Sequence, residues 1–132
     1  MPTPTNTIKT NSFELAVYPK GSADSGKLAL LLPGMLDTGA YAHLQSHADL
    51  LSQKGYYALA FDPPGTWNSP GGIGLYTMSN YLQAINELIS YYGNKPTVLI
   101  GHSRGGTMAM LAGTANAYVT RFAAIMSSFS FD

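Results

Sequence analysis

The sequence predicts an α/β fold, a mostly parallel, doubly wound sheet with helices on both faces. Four apolar runs of strand length alternate with segments of helical periodicity, which is the pattern of a parallel sheet with crossover helices. The runs are apolar almost throughout, as expected of strands that are buried on both faces. A pair of short strands with a polar turn precedes them, so we expect one antiparallel hairpin at the start of the sheet.

Length and composition limit the classes of function that this chain can have. The 132 residues suffice for one domain, taken here as residues 1–132. Seven basic and seven acidic residues balance and no basic run occurs, so nucleic acid is not an expected partner. The absence of cysteine excludes disulfides and thiolate metal sites. No signal-peptide core or membrane-spanning run is visible, which predicts a cytoplasmic protein.

The first half of the chain reads as three strands and a helix. "NTIKTNSFELAVYP" gives the opening hairpin around Asn11-Ser12, and a loop follows from Pro19 to Gly26. "KLALLLPG" is the next strand. Thr38 is then expected to cap a helix from Gly39 to Lys54, which Gly55 ends.

The second half repeats the alternation. "YYALAF" is a strand, and "DPPGTWNSPGGIG" is a long loop rich in proline and glycine. A helix is expected from Ser79 to Tyr92, with an apolar stripe that includes Tyr81 and with Gly93 at its end. The strand "PTVLIG" follows, and then a helix from Ser103 to Asn116. "RFAAIMSSFSF", residues 121–131, is the last predicted strand.

A candidate nucleophile lies where the fifth strand meets the third helix. The run from Gly101 to Gly105 fits G-x-S-x-G with Ser103 at its centre. Glycines on both sides allow a sharp turn that lifts a hydroxyl above the sheet, where the helix N-terminus favours negative charge. The alternative is that Ser103 only caps a tightly packed helix.

A second loop could complete a catalytic centre. "LLPGMLDTG" ends the strand that we expect beside the serine strand, and its Pro33-Gly34 frees the N–H of Met35 to face the site. With the N–H of Arg104, it would form a two-donor oxyanion hole. An ordinary strand-to-helix turn is the alternative interpretation. Asp62, which ends the following strand, is interpreted as a structural carboxylate that binds backbone N–H groups of its own turn.

These residues resemble the α/β-hydrolase superfamily. The resemblance is carried by "LLLPGML", "AFDPPGTWNS" and "VLIGHSRGG", whose order and spacing are those of the family's N-terminal half, through its sixth strand. It implies Ser103 as nucleophile and the main chains of Met35 and Arg104 as the oxyanion hole. The predicted domain is therefore an incomplete one, about half of a typical member.

The loop after the fourth strand departs from the family pattern. The family commonly has Pro-Gly-x-Gly-x-Ser there, and Trp67 replaces the second glycine. Its indole could line a substrate site or cover the core, and both interpretations remain open.

The acid and the histidine of a catalytic triad have no clear counterpart. His102 precedes the nucleophile and is expected to pack within the turn, while His43 and His47 are i, i+4 neighbours on the first helix. That spacing suits two metal ligands, but no third is evident, and a polar helix face is the preferred interpretation. Asp132 is an unfavourable candidate for the acid because a chain terminus fixes a carboxylate poorly.

The predicted function is serine hydrolysis, esterase-like, by acyl transfer through Ser103 on an ester, thioester or amide, with no cofactor and no metal. The chain is expected to be truncated before the acid and histidine, as a shortened reading frame, an expressed fragment or half of a split enzyme. We therefore expect weak activity alone, and a homodimer or a complementing C-terminal fragment as partner. The alternative is a non-catalytic binding module that keeps the fold. In the family, dehalogenases and epoxide hydrolases use an aspartate at the elbow, so Ser103 argues against both.

Overall fold

The structure, a computed structural model, describes residues 6–125. It contains six strands and three α-helices within that range. The strands are β1 (Asn6–Lys9), β2 (Glu14–Lys20), β3 (Leu28–Leu32), β4 (Tyr57–Phe61), β5 (Thr97–His102) and β6 (Val119–Ile125). The helices are α1 (Ala42–Gln53), α2 (Met78–Tyr91) and α3 (Arg104–Ala115), with a short 3₁₀ helix at Ile73–Leu75.

The strands form one sheet in the order β1-β2-β4-β3-β5-β6. The pairs β1–β2 and β2–β4 are antiparallel, while β4–β3, β3–β5 and β5–β6 are parallel. The predicted mostly parallel sheet with an opening hairpin is confirmed. The predicted neighbourhood of β3 and β5 is also confirmed, so the loops after these two strands emerge side by side at one edge.

Helices cover both faces of the sheet, as predicted. Successive residues of a strand point to opposite faces, so β3 feeds two cores. Leu31 packs with the α1 residues Leu44 and Ala48 on one face. Leu30 belongs to the other core, which contains these buried residues of α2 and α3: Tyr81, Ala84, Ile85, Leu88, Ile89, Met108, Ala109 and Ala112.

The first helix begins later than the sequence predicted. It starts at Ala42 rather than Gly39, and Tyr41 takes the cap position without a side-chain cap. Thr38 does not cap it: its hydroxyl donates to the carboxylate of Asp62 at 2.6 Å and accepts the N–H of Ala40, which precedes the helix, at 3.2 Å. These two bonds hold Thr38 in the turn that precedes α1.

Other boundaries differ by a few residues. β2 continues through Pro19 and Lys20, which were expected in a loop, because both pair with β4. β6 begins at Val119, two residues before the predicted strand, and residues 126–131 of that prediction lie outside the described part of the chain. In α2 the hydroxyl of Thr77 accepts the N–H of Asn80 at 3.0 Å. Across residues 6–125, no helix combines the length and apolarity needed to cross a bilayer.

Candidate active site

Ser103 occupies the turn between β5 and α3. Its backbone lies in a left-handed region, with φ 54° and ψ −116°, which residues other than glycine rarely adopt. It takes the N-cap position of α3, yet its side chain makes no capping hydrogen bond. The residue is exposed. Such a strained turn with an uncapped, exposed hydroxyl is typical of a functional position rather than of a helix cap.

Two glycines make the turn sterically possible. A Cβ at Gly101 would overlap the carbonyl oxygen of Gly105, and a Cβ at Gly105 would overlap the carbonyl oxygen of Leu32 in β3. The start of α3 therefore lies directly against the ends of β5 and β3. The N–H of Ser103 donates to the carbonyl of Ile125 at 2.8 Å, which ties the turn to β6 as well.

The turn after β3 lies against Ser103. Asp37 donates its N–H to the carbonyl of Gly34 at 3.1 Å, which closes a tight turn with Leu36 at φ 59°. A Cβ at Gly34 would lie 3.5 Å from Cβ of Ser103, so the two turns are in close contact. Within residues 6–125, the N–H of Met35 has no hydrogen-bond partner, as is usual for the second residue of a turn.

A buried tyrosine fixes the strand end that precedes this turn. The hydroxyl of Tyr81, on α2, donates to the carbonyl of Pro33 at 2.7 Å. Burial, and then the neighbouring Tyr76 and Asp37, raise the pKa of Tyr81 well above its usual value, so the hydroxyl stays protonated and remains a donor. In the sequence, Tyr81 was recognised only as part of the apolar stripe of α2.

Asp62 links the turn after β3 to the loop after β4. Its buried carboxylate accepts hydrogen bonds from the hydroxyls of Thr38 and Tyr18, at 2.6 and 2.9 Å, and from the N–H groups of Gly39 and Asn68, at 2.8 and 3.1 Å. Asn68 belongs to its own loop, as the structural interpretation required. Tyr18 comes from β2, the antiparallel neighbour of β4, while Thr38 and Gly39 follow β3, its parallel neighbour. Sequence spacing does not reveal these neighbours.

Trp67 joins the same two loops from outside. Its indole N–H donates to the carbonyl of Leu36 at 2.7 Å, and its ring lies edge-on to Tyr41 with centroids 6.1 Å apart. The residue is 53% exposed, so it does not cover the core. Its φ of 45° is a conformation that glycine adopts readily, which explains why the related pattern has glycine there.

The three histidines gather on one side of the turn. Nε2 of His102 lies 3.0 Å from Nε2 of His47, and the ring of His43 is edge-on to His102 at 4.7 Å between centroids. Within residues 6–125, none of them is hydrogen-bonded to Ser103, and no group of three or more histidine or carboxylate side chains has the geometry to hold a metal ion. The sequence did not associate His102 with the i, i+4 pair, but the structure places its ring against both members. Asp132, the other candidate for a triad, lies outside the described residues.

Comparison with known families decides the assignment. A family model for the alpha/beta hydrolase fold matches residues 29–131. The chain belongs to the α/β-hydrolase family. The expectation drawn from the three motifs is confirmed, and so is the fold class. None of the curated proteins compared with the chain matches it significantly.

Solved α/β hydrolases share the arrangement of strands and helices. Epoxide Hydrolase A from Mycobacterium thermoresistibile is 22% identical, with a TM-score of 0.76 over 90% of this chain and 37% of its own. The thioesterase domain from the curacin biosynthetic pathway is 19% identical, with a TM-score of 0.79 over 100% of this chain and 49% of its own. Mouse alpha/beta hydrolase domain-containing protein 10 is 20% identical, with a TM-score of 0.74 over 92% and 48%. This chain spans less than half the length of each of these three proteins.

The site as a whole is more connected than its motifs indicated. Ser103, Met35 and Arg104 come from the ends of adjacent strands, as the prediction required. The contacts of Tyr81 with Pro33 and of His47 with His102 were missed, because each joins residues far apart in the chain and neither has a local sequence signal. The Trp67–Leu36 bond could have been suspected from the tryptophan that stands in place of a glycine.

Proposed function

We propose that this α/β hydrolase acts by acyl transfer, with Ser103 as the nucleophile on an ester, thioester or amide. The observation that carries the proposal is the exposed Ser103 at φ 54°, whose hydroxyl makes no capping bond. A helix cap would use that hydroxyl and would need no strained backbone. The membership of the family supports a hydrolase, and the serine selects the type of intermediate.

The reaction would run through two tetrahedral intermediates. The oxygen of Ser103 attacks the carbonyl carbon and loses its proton to a base, the alcohol, thiol or amine leaves with a proton, and water then cleaves the acyl-serine ester. The negative charge on the carbonyl oxygen would be stabilised by the N–H groups of Met35 and Arg104. Arg104 supplies the first N–H of α3, where the helix dipole adds to the effect.

The side chain at the elbow argues against epoxide opening. If a serine attacked an epoxide carbon, it would form an ether, which water does not cleave under mild conditions. A carboxylate nucleophile forms an ester, which water does cleave. Ser103 therefore suits a carbonyl substrate, although some neighbours in structure are epoxide hydrolases.

The base and acid are proposed to come from outside residues 6–125. His102 and His47 bind each other, His43 packs edge-on against His102, and within residues 6–125 none of the three is hydrogen-bonded to Ser103. A complementing C-terminal fragment, or a further segment of chain, would then supply a histidine and a carboxylate. Turnover by the 132-residue chain alone is expected to be well below the roughly 1–1,000 per second of ordinary enzymes.

The same histidine geometry favours a second candidate function. An α/β-hydrolase domain whose serine has no base within reach could act as a binding module. The two candidate functions predict different reactivity for one group, the hydroxyl of Ser103.

The test is labelling by a fluorophosphonate probe, with the modified residue located by mass spectrometry. Imidazole added as an external base should accelerate the labelling of Ser103, and Ser103→Ala should abolish it. Ser46→Ala removes an exposed serine from α1 and is the matched control, expected to leave labelling unchanged. Labelling that is absent with imidazole, or equal in both variants, would refute the nucleophile and leave the binding module.

A further inference from the structure

Three histidines meet beside the nucleophile turn from two different elements. His43 and His47 lie one helical turn apart on α1, and His102 is the last residue of β5. The ring centroid of His102 is 4.7 Å from that of His43 and 5.1 Å from that of His47. α1 and α3 cover opposite faces of the sheet, so this cluster connects the start of α3 to the helix on the far face.

The contact between His47 and His102 is a hydrogen bond between two ring nitrogens. The Nε2 atoms are 3.0 Å apart while the ring centres are 5.1 Å apart, so the nitrogens point at each other. One must carry a hydrogen and the other a lone pair, which requires opposite tautomers when both rings are neutral. One added proton leaves this bond intact. A second would put N–H groups on both nitrogens and break it.

The surroundings resist that second proton. Burial, and then positive charge at His43 and His47, lower the pKa of His102, while the carboxylate of Asp37 acts in the opposite sense. Tyr41 approaches the cluster at His43, with ring centroids 6.1 Å apart. Groups on α1 therefore disfavour the charged form of the cluster, while the carboxylate in the turn after β3 favours it.

We propose that His47 and His102 form a proton site, in which the hydrogen bond between the two rings holds the nucleophile turn in place and survives the addition of one proton. His47 is thereby a positioning residue for Ser103. The carbonyl of His102 and Cβ of Ser103 both lie against Gly34, at 3.3 and 3.5 Å from where its Cβ would be. A displacement of the His102 backbone would therefore press the strained turn against the neighbouring turn that carries Met35. The role of Ser103 rests on the proposed function, but the proton site does not.

The test is NMR titration of the full 132-residue chain, following the imidazole nitrogens and the amides of Ser103 and Arg104. In the wild type, the two rings should show opposite tautomers at alkaline pH, and the amides should move on acidification, when the pair takes its second proton. His47→Gln can donate to neutral His102 and accept from charged His102. It should therefore keep the wild-type amide positions at high pH and lose most of the pH-dependent movement.

Two further variants complete the design. His47→Leu removes the bond and should displace the Ser103 and Arg104 amides at every pH. His43→Gln, the matched control one turn away, should retain the amide movement, with its transition at a higher pH because a charge that lowers the pKa of His102 is removed. Identical tautomers in the two rings, or a His43→Gln effect equal to that of His47→Gln, would overturn the proposal. If His47→Leu does not fold, His47→Gln alone decides. Because no readout uses hydrolysis, a failure of Ser103 to react would refute the proposed function without touching this result.

Discussion

Two apolar strands of the same sheet have opposite environments. All five residues of β3, "LALLL", are fully buried. In β6, "VTRFAAI", Val119 is partly buried and the other six residues are exposed. β5 lies between them and alternates between buried and partly buried positions. The strands thus become more exposed from β3 to β6, although all three are rich in apolar residues.

The difference arises from neighbours rather than from composition. β3 pairs with β4 on one side and β5 on the other, and residues of helices cover both of its faces. β6 pairs with β5, and within residues 6–125 no strand pairs with its other edge. The lesson is that an apolar run predicts a strand, while its place in the sheet order determines how much burial stabilises it.

Large-to-small substitution should show this contrast most strongly. Leu30→Ala in β3 removes a fully buried side chain and leaves a cavity, so the free energy of unfolding should fall by about 2–5 kcal/mol. Phe122→Ala in β6 removes a ring that is 43% exposed and should cost about 1 kcal/mol or less. Urea denaturation of both variants is the measurement. Equal losses would contradict the argument from sheet position.

The two glycines at the start of α3 provide a second contrast. A Cβ at Gly105 would overlap the backbone of Leu32, whereas a Cβ at Gly106 would lie 3.1 Å from Cβ of Ala124 in β6. Gly105→Ala should therefore cost about 1–3 kcal/mol or more, because the buried strand cannot move away. The bulkier Gly105→Val should disturb the turn further.

Gly106→Ala is the matched control. Helix propensity should gain about 0.5–1 kcal/mol from alanine, which offsets a small displacement of exposed Ala124. Thermal unfolding compares the pair, and a Gly105→Ala variant with wild-type stability would refute the close approach of α3 to β3.

Self-association should depend on β6. An exposed, mainly apolar edge strand is a template for pairing with another chain, so light scattering of the purified protein should show concentration-dependent association. Ala123→Lys places a charge in the middle of β6 and should reduce it. Ser46→Lys adds the same charge on exposed α1 and should not. A wild-type chain that stays monomeric at all concentrations would remove β6 as an association site.

The smallest expected effect is on how stability depends on pH, and it arises from His102 at the end of β5. Burial, and then His43 and His47, lower the pKa of His102 below its usual 6.5 in the folded chain. As the pH falls below 6.5, the unfolded chain therefore takes up the proton first, and stability decreases. His102→Gln should flatten the melting temperature between about pH 5 and 7. His43→Gln should flatten it less, since His43 is exposed, and an unchanged slope in His102→Gln would contradict the assignment.

The local signals of the chain predicted much of the fold. Continuous apolar runs identified β3, β4 and β5, and the apolar stripe with Gly93 at its end placed α2 within one residue. The start of α1 was wrong because Thr38 binds Asp62, a partner 24 residues away that no helix-capping rule includes. Ser103 could be found because its turn requires glycines at fixed offsets, which is a local constraint.

The sequence by itself determined the element order, the strained turn around Ser103 and the family, because these depend on backbone sterics and on periodicity within a few residues. Only the tertiary structure decided which apolar strand is buried, that Trp67 binds Leu36, and that His47 meets His102. Those outcomes depend on which strands and loops become neighbours. These two contacts join residues that are 31 and 55 positions apart, and such contacts leave no periodic trace in the chain. Each side chain, taken alone, would suit several other environments equally well.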